Sequence, residues 1–142
     1  MLRHRDPDGT ARYAVVDYKT NRLHARGEPV VVGDYARVPL AEAMAEHHYP
    51  LQALLYAVAL HRYLRWRLPG YDPARHLGGA GYLFLRGMTG AHVPVGADGR
   101  PDGVFDWAIP PQLVVELSDL LDGVAPPDAS APTEQLALGL EP

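Results

Sequence analysis

The segment Tyr13-Ala14-Val15-Val16-Asp17-Tyr18-Lys19-Thr20-Asn21 limits what this chain can become more than any other. Aromatic and β-branched residues dominate it, and Asp8-Gly9 supplies a turn signal just before it, so it reads as a β-strand. Side chains on a strand alternate between faces. Tyr13, Val15, Asp17 and Lys19 therefore share one face, and Ala14, Val16 and Tyr18 the other. Two apolar residues followed by a carboxylate and an ammonium describe a buried strand that emerges at a site. At roughly 3.3 Å of rise per residue, the Cα atoms of Asp17 and Lys19 lie about 6.5–7 Å apart. At that spacing one charge can hold a metal ion while the other reaches a substrate oxygen. The same Asp-x-Lys pattern also fits a solvated strand end with a surface ion pair of small energetic value. The remainder of the chain has to choose between them.

The 142 residues suit one domain with a single core, and 47% hydrophobic with 21% charged residues is ordinary for a soluble globular protein. No apolar run approaches the roughly 18 residues of a membrane span. Met1-Leu2-Arg3-His4-Arg5 is not followed by an apolar stretch and does not read as a secretory signal. The absence of cysteine excludes disulfides, thiolate zinc sites, iron–sulfur clusters and a cysteine nucleophile. A cytoplasmic location, without membrane association, is expected. A formal net charge of -4 argues against a freestanding nucleic-acid binder, but not against an enzyme whose nucleic acid is delivered by a partner. Arg62, Arg65, Arg67 and Arg75 read as a solvated helix face rather than a phosphate track.

Along the chain, Asp6-Pro7-Asp8-Gly9 is a turn, so residues 1–19 read as a hairpin with a very short first strand. Residues 22–38 read as a loop, and 39–47 as a helix rich in strong formers. Pro50 opens a long helix that runs to about Arg67 and ends at Pro69-Gly70. Its expected buried residues are Leu51, Leu54, Leu55, Val58 and Tyr63, and Gln52 and Tyr56, four apart, share a face. Residues 71–79 read as a loop, Ala80–Arg86 as an interior strand, 87–103 as an irregular excursion and Val104–Trp107 as a short strand. Pro110-Pro111 starts a last helix through about Leu121, with Leu113, Val114, Leu117, Leu120 and Leu121 on its apolar side. The composition divides the chain into a domain over 1–122 and a disordered tail over 123–142.

A strand bearing Asp and Lys beside a helix bearing Gln and Tyr suits metal-dependent phosphodiester hydrolysis. The carboxylate binds Mg²⁺, a hard cation that prefers oxygen ligands. The metal lowers the pKa of a bound water and offsets charge on the phosphate. The lysine places positive charge where negative charge develops in the transition state. The glutamine amide orients the nucleophile or holds a phosphate oxygen. A second acidic ligand is missing from this set.

Three stretches carry a family resemblance: Val16-Asp17-Tyr18-Lys19-Thr20-Asn21, then His48-Tyr49-Pro50-Leu51-Gln52 through Leu60-His61-Arg62-Tyr63-Leu64, then Gly78-Gly79-Ala80-Gly81-Tyr82-Leu83-Phe84-Leu85-Arg86-Gly87. In order and spacing over roughly residues 1–122 they resemble the C-terminal nuclease domain of RecB, the beta chain of exodeoxyribonuclease V. The first piece is weakly specific and the other two strongly so. The resemblance implies an α/β PD-(D/E)XK nuclease core, a mixed sheet flanked by helices, that hydrolyses DNA with Mg²⁺ in double-strand-break repair and recombination. Carried over by position, Asp17 is a metal ligand, the Tyr18 backbone carbonyl another, Lys19 the catalytic lysine, and Gln52 and Tyr56 the supporting helix motif. The alpha and gamma chains of exodeoxyribonuclease V are the implied partners.

The resemblance also places the family's first acidic ligand just upstream of Met1, with a metal-binding His and the ATP-dependent helicase domains further upstream. The expectation is a partial nuclease domain lacking its first core elements, weak or inactive by itself. Unpaired backbone along Tyr13–Tyr18 and marginal stability are expected to follow. A non-catalytic docking or regulatory module on the same fold is the alternative. An iron–sulfur branch of the superfamily is disfavoured by the missing cysteines. Asp6 and Asp8 lie in the turn, away from the position a second ligand needs, and His4 reads as exposed near a fraying end. His47 and His48 are expected on different helix faces, and His61 as a packed or hydrogen-bonded histidine.

Overall fold

In a computed structural model, residues 1–24 and 27–124 are described. The chain opens with an antiparallel hairpin of β1 (Leu2–Arg5) and β2 (Ala11–Lys19). A short 3₁₀ turn at Val32–Tyr35 leads into α1 (Arg37–Glu46), then α2 (Tyr49–Arg67) and the single turn α3 (Pro73–His76). Strands β3 (Leu77–Phe84) and β4 (Val104–Trp107) follow, and then α4 (Pro111–Leu121). The sheet order is β1-β2-β3-β4, with β2 and β3 parallel and the outer pairs antiparallel. Because parallel neighbours need a long crossover, the three helices between β2 and β3 are carried across the sheet. The result is an α/β fold with a mixed sheet flanked by helices, as expected from the sequence.

The alternation along β2 is as read. Tyr13 and Val15 pack on the core formed by Tyr35, Leu40, Met44, Tyr82, Phe84 and their neighbours. On the opposite face, Ala14, Val16 and Tyr18 join Gly81, Leu83 and Asp106 around a shallow concavity of about 440 Å³. β1 pairs with β2 from Ala11 to Ala14. Tyr13 is thus paired after all, and the outer edge of β2 lacks a strand partner among the described residues only from Val15 to Lys19.

Helix α2 starts and stops where its prolines predict, and Val58 is buried and Leu54 packs on the core as expected, but the rest of its buried face differs. Ala53, Ala57, Val58, Leu60, His61 and Leu64 are buried, whereas Leu51, Leu55 and Tyr63 are 58%, 46% and 48% exposed. Ala53 and Ala57 lie in the core cluster with Val58, Leu60 and Leu64. The larger apolar residues are turned outward, together with Ala59 and Trp66. In helix α4, Val114 is buried and Leu117 packs on the core as expected, but Ser118 is buried too, while Leu113, Leu120 and Leu121 are exposed.

Ser118 is buried, and Arg62 supplies its hydrogen-bond partner. The guanidinium donates to Ser118 Oγ at 3.1 Å and to Ser118 O at 2.9 Å, and pairs with Asp122 Oδ1 at 2.7 Å. Arg62 is therefore an α2–α4 clamp, not part of a solvated face; Arg65 and Arg67 do remain exposed. The stretch 71–79 is more ordered than a loop. Asp72 Oδ1 caps α3 by accepting from Ala74 N at 2.9 Å, and β3 already begins at Leu77. Residues 22–38, read as loop, hold the 3₁₀ turn and the start of α1.

His47 and His48 are not on helix faces but form the junction between α1 and α2, where His48 takes a left-handed conformation with φ 54. His61 is 3% exposed, with Nδ1 2.9 Å from the Tyr71 hydroxyl. No helix among the described residues is long and apolar enough to cross a membrane. The tail expected over 123–142 lies, from residue 125 onward, outside the described residues.

Candidate active site

Asp17 and Lys19 stand at the end of β2, on the face covered by α2. Asp17 is in register with Tyr82, and Lys19 with Phe84. Lys19 is the chain's one lysine, and it is only 9% exposed. Its Nζ lies 2.7 Å from Asp17 Oδ2. That approach is off the hydrogen-bonding direction. Asp17 Oδ2 is consequently buried beside a charge but accepts no hydrogen bond.

The hydrogen bond Lys19 does donate goes to Gln52 Oε1, at 2.9 Å, in the first turns of α2. Gln52 Nε2 in turn donates to the Tyr56 hydroxyl at 3.3 Å, which leaves the amide oxygen facing the ammonium. Helical spacing brings Gln52 and Tyr56 together, since residues four apart are neighbours on the surface. The structure thus joins Asp17, Lys19, Gln52 and Tyr56 in one chain of contacts. Tyr18 points the other way, and its side chain is 64% exposed.

Aromatic residues that sequence reasoning passed over complete the enclosure. The Tyr49 ring lies under the ammonium, with Nζ 3.6 Å from its centroid, and the Tyr82 centroid is 5.3 Å away. Tyr49 and Tyr82 are stacked, with centroids 5.7 Å apart. The Tyr82 hydroxyl donates to Tyr49 O at 3.0 Å, and Tyr49 OH donates to Asn21 Oδ1 at 3.2 Å. Asn21 O accepts from the fully buried Tyr35 hydroxyl at 2.9 Å. Burial, reinforced by the Asp17 charge, pushes the Tyr82 hydroxyl up to about 12, so it stays a neutral donor. Two signals pointed to this ring: Tyr49, Gln52 and Tyr56 follow an i, i+3, i+7 pattern, and the lone lysine sits in the Asp-x-Lys pair. Past the site, Arg86 Nε donates to Thr20 O at 2.9 Å and ties the ends of β2 and β3 together.

Fold and site define a class: an α/β domain whose mixed sheet presents an Asp–Lys pair at a strand end, against a helix bearing Gln and Tyr. Over 115 residues the chain is 59% identical to RecBCD enzyme subunit RecB of Mycolicibacterium smegmatis, a match covering 81% of this chain and 10% of that protein. It is 61% identical over 111 residues to the same subunit of Mycobacterium tuberculosis, covering 78% and 10%. It is 48% identical over 81 residues to that of Escherichia coli, covering 57% and 6%. This chain is a homologue of a segment of RecB, and it spans about a tenth of the length of the first two relatives. No family model matches the chain.

Proposed function

We propose that this chain is the nuclease segment of a RecB-type helicase–nuclease, acting in DNA double-strand-break repair and recombination by Mg²⁺-dependent phosphodiester hydrolysis. The observation that carries the reading is the buried ammonium of Lys19, held between Asp17 Oδ2 at 2.7 Å and Gln52 Oε1 at 2.9 Å. A lysine so enclosed is too costly for a mere surface ion pair, because burial of a charge requires partners.

The donor set fits a hard divalent cation in part. Asp17 Oδ2 is a buried carboxylate oxygen with no hydrogen-bond donor, the kind of atom a cation would satisfy. Among the described residues no cluster of three His, Asp or Glu side chains is present to complete a site. Asp17, with the Tyr18 backbone carbonyl, would hold the ion, and the segment by itself would bind it weakly. When bound, such an ion offsets phosphate charge and makes a bound water more acidic.

The chain's own residues do the rest. Lys19 presents its charge to a non-bridging phosphate oxygen, where negative charge grows as the attacking oxygen adds to phosphorus. Gln52 fixes the Lys19 rotamer, and Tyr56 fixes which end of the Gln52 amide faces it. The alpha and gamma chains of exodeoxyribonuclease V, and helicase domains, are the partners this reading calls for. The test is degradation of linear DNA by the purified chain in Mg²⁺ or Mn²⁺, beside Lys19→Ala. Cleavage lost on substitution supports the assignment; cleavage indifferent to Lys19 refutes it.

A second reading, a non-catalytic docking module on the same fold, is favoured by the outward apolar residues of α2, where Trp66 is 77% and Leu51 58% exposed. Binding to the other subunits that survives Lys19→Ala, in a chain that never cleaves DNA, would select it.

A further inference from the structure

We propose that Tyr49 is a positioning residue for Lys19, and that its ring holds the ammonium in place without neutralising it. The inference rests on the nuclease reading only for its functional meaning; the contact itself is independent of it.

An ammonium has three donors and no acceptor. In Lys19 one is spent on Gln52 Oε1 at 2.9 Å, and the Asp17 carboxylate at 2.7 Å is a charge neighbour off the hydrogen-bonding direction. The Tyr49 ring, 3.6 Å from Nζ, closes the remaining side. An aromatic face attracts a cation through its quadrupole and carries no net charge. The ring can therefore fix the ammonium while leaving its full charge available to an anionic oxygen. Asp17 cannot do both, because a carboxylate that satisfies the lysine also cancels it. Should Asp17 be drawn to another cation, Gln52 and Tyr49 are what remain to hold Lys19.

The ring is itself held from several directions, which a passive packing residue does not need. It stacks on Tyr82 at 5.7 Å and 16°. Its backbone oxygen accepts from Tyr82 OH at 3.0 Å, and its hydroxyl donates to Asn21 Oδ1 at 3.2 Å. Tyr49 is also the first residue of α2, immediately after the left-handed His48, so the backbone of the helix junction aims it. The hydroxyl serves to orient the ring, and the ring face serves the lysine.

That division gives the test. Because its 142 residues contain one lysine, this chain grown with ¹³C-lysine shows a single lysine spin system. The ε-methylene protons of Lys19 are expected upfield of an exposed lysine by the ring current of Tyr49, and inequivalent because the side chain is held. Tyr49→Phe, which keeps the ring, retains both signatures. Tyr49→Leu, which keeps an apolar side chain at the position, loses both. Where DNA cleavage is followed alongside, Tyr49→Leu is expected about tenfold slower and Tyr49→Phe close to the parent chain. An unshifted lysine in the parent chain, or a shift that persists in Tyr49→Leu, overturns the proposal. The spectra separate this inference from the nuclease reading: cleavage indifferent to Lys19→Ala sinks that reading even where the ring-current pattern stands.

Discussion

Lys19 Nζ donates to Gln52 Oε1 at 2.9 Å, and this bond couples the end of strand β2 to the opening turns of helix α2. Replacing Gln52 by Leu leaves a nearly buried ammonium with one acceptor fewer. The cost expected is about 1–3 kcal/mol of folding stability, read from urea midpoints. Tyr56→Phe should cost less, because it removes only the hydroxyl that orients the amide. Equal stability of Gln52→Leu and the parent chain would show the bond to be idle.

The clamp of Arg62 on α4 is a second prediction. Arg62→Met keeps the aliphatic stem but abandons Ser118 O and Oγ, in a residue that is 0% exposed. A loss on the order of 1 kcal/mol is expected, because Ser118 Oγ loses its partner while Ser118 O keeps the bond from Asp122 N at 3.1 Å. Hydrogen exchange should rise in α4 before it rises in the sheet.

The α1–α2 junction holds a correctable strain. His48 sits at φ 54 with an exposed side chain, and a left-handed conformation costs a non-glycine residue on the order of 1–2 kcal/mol. His48→Gly is expected to raise the urea midpoint, with a net gain of up to about 1 kcal/mol. His48→Val should lower it. A midpoint lowered by glycine would contradict the assigned geometry.

His61 makes stability depend on pH. Burial, aided by the nearby Arg65 charge, holds its pKa below the ordinary 6.5. The unfolded chain therefore binds a proton more readily than the folded one. The His61 contribution is fully present above pH 6.5 and falls away as the pH drops from there toward the lowered folded value. Unfolding curves measured across that interval should show a loss that His61→Phe flattens, even though that variant starts from lower stability. A parent chain whose stability does not change through the interval would argue that His61 is not buried neutral.

Much of the architecture was legible because local signals and periodicity agree. The turn at Asp6–Gly9, the alternation of β2, the proline-opened α2 and α4, and the position of β4 all follow from backbone chemistry that acts over a few residues. The pairing of Gln52 with Tyr56 was legible for the same reason. What misled were the largest apolar side chains. Val58 was rightly placed on the buried face of α2, but Leu51, Leu55 and Tyr63 are exposed, and Ala53, Ala57, Leu60, His61 and Leu64 complete that face instead. Helical spacing reveals which residues share a face, not which face a partner surface accepts.

The sequence by itself determined the strand carrying Asp17 and Lys19 and the helix carrying Gln52 and Tyr56; the α/β class came from the family resemblance. Strand and helix each depend on the spacing of residues close together in the chain. Only the tertiary structure decided that Lys19 is enclosed by Gln52, Tyr49 and Tyr82, and that Arg62 reaches across to Ser118. Those contacts join positions dozens of residues apart. The Lys19 enclosure exists because the parallel pairing of β2 with β3 carries α2 over the end of β2, and the Arg62 contact because α4 packs against α2; both are set by the packing of the whole core rather than by local preference.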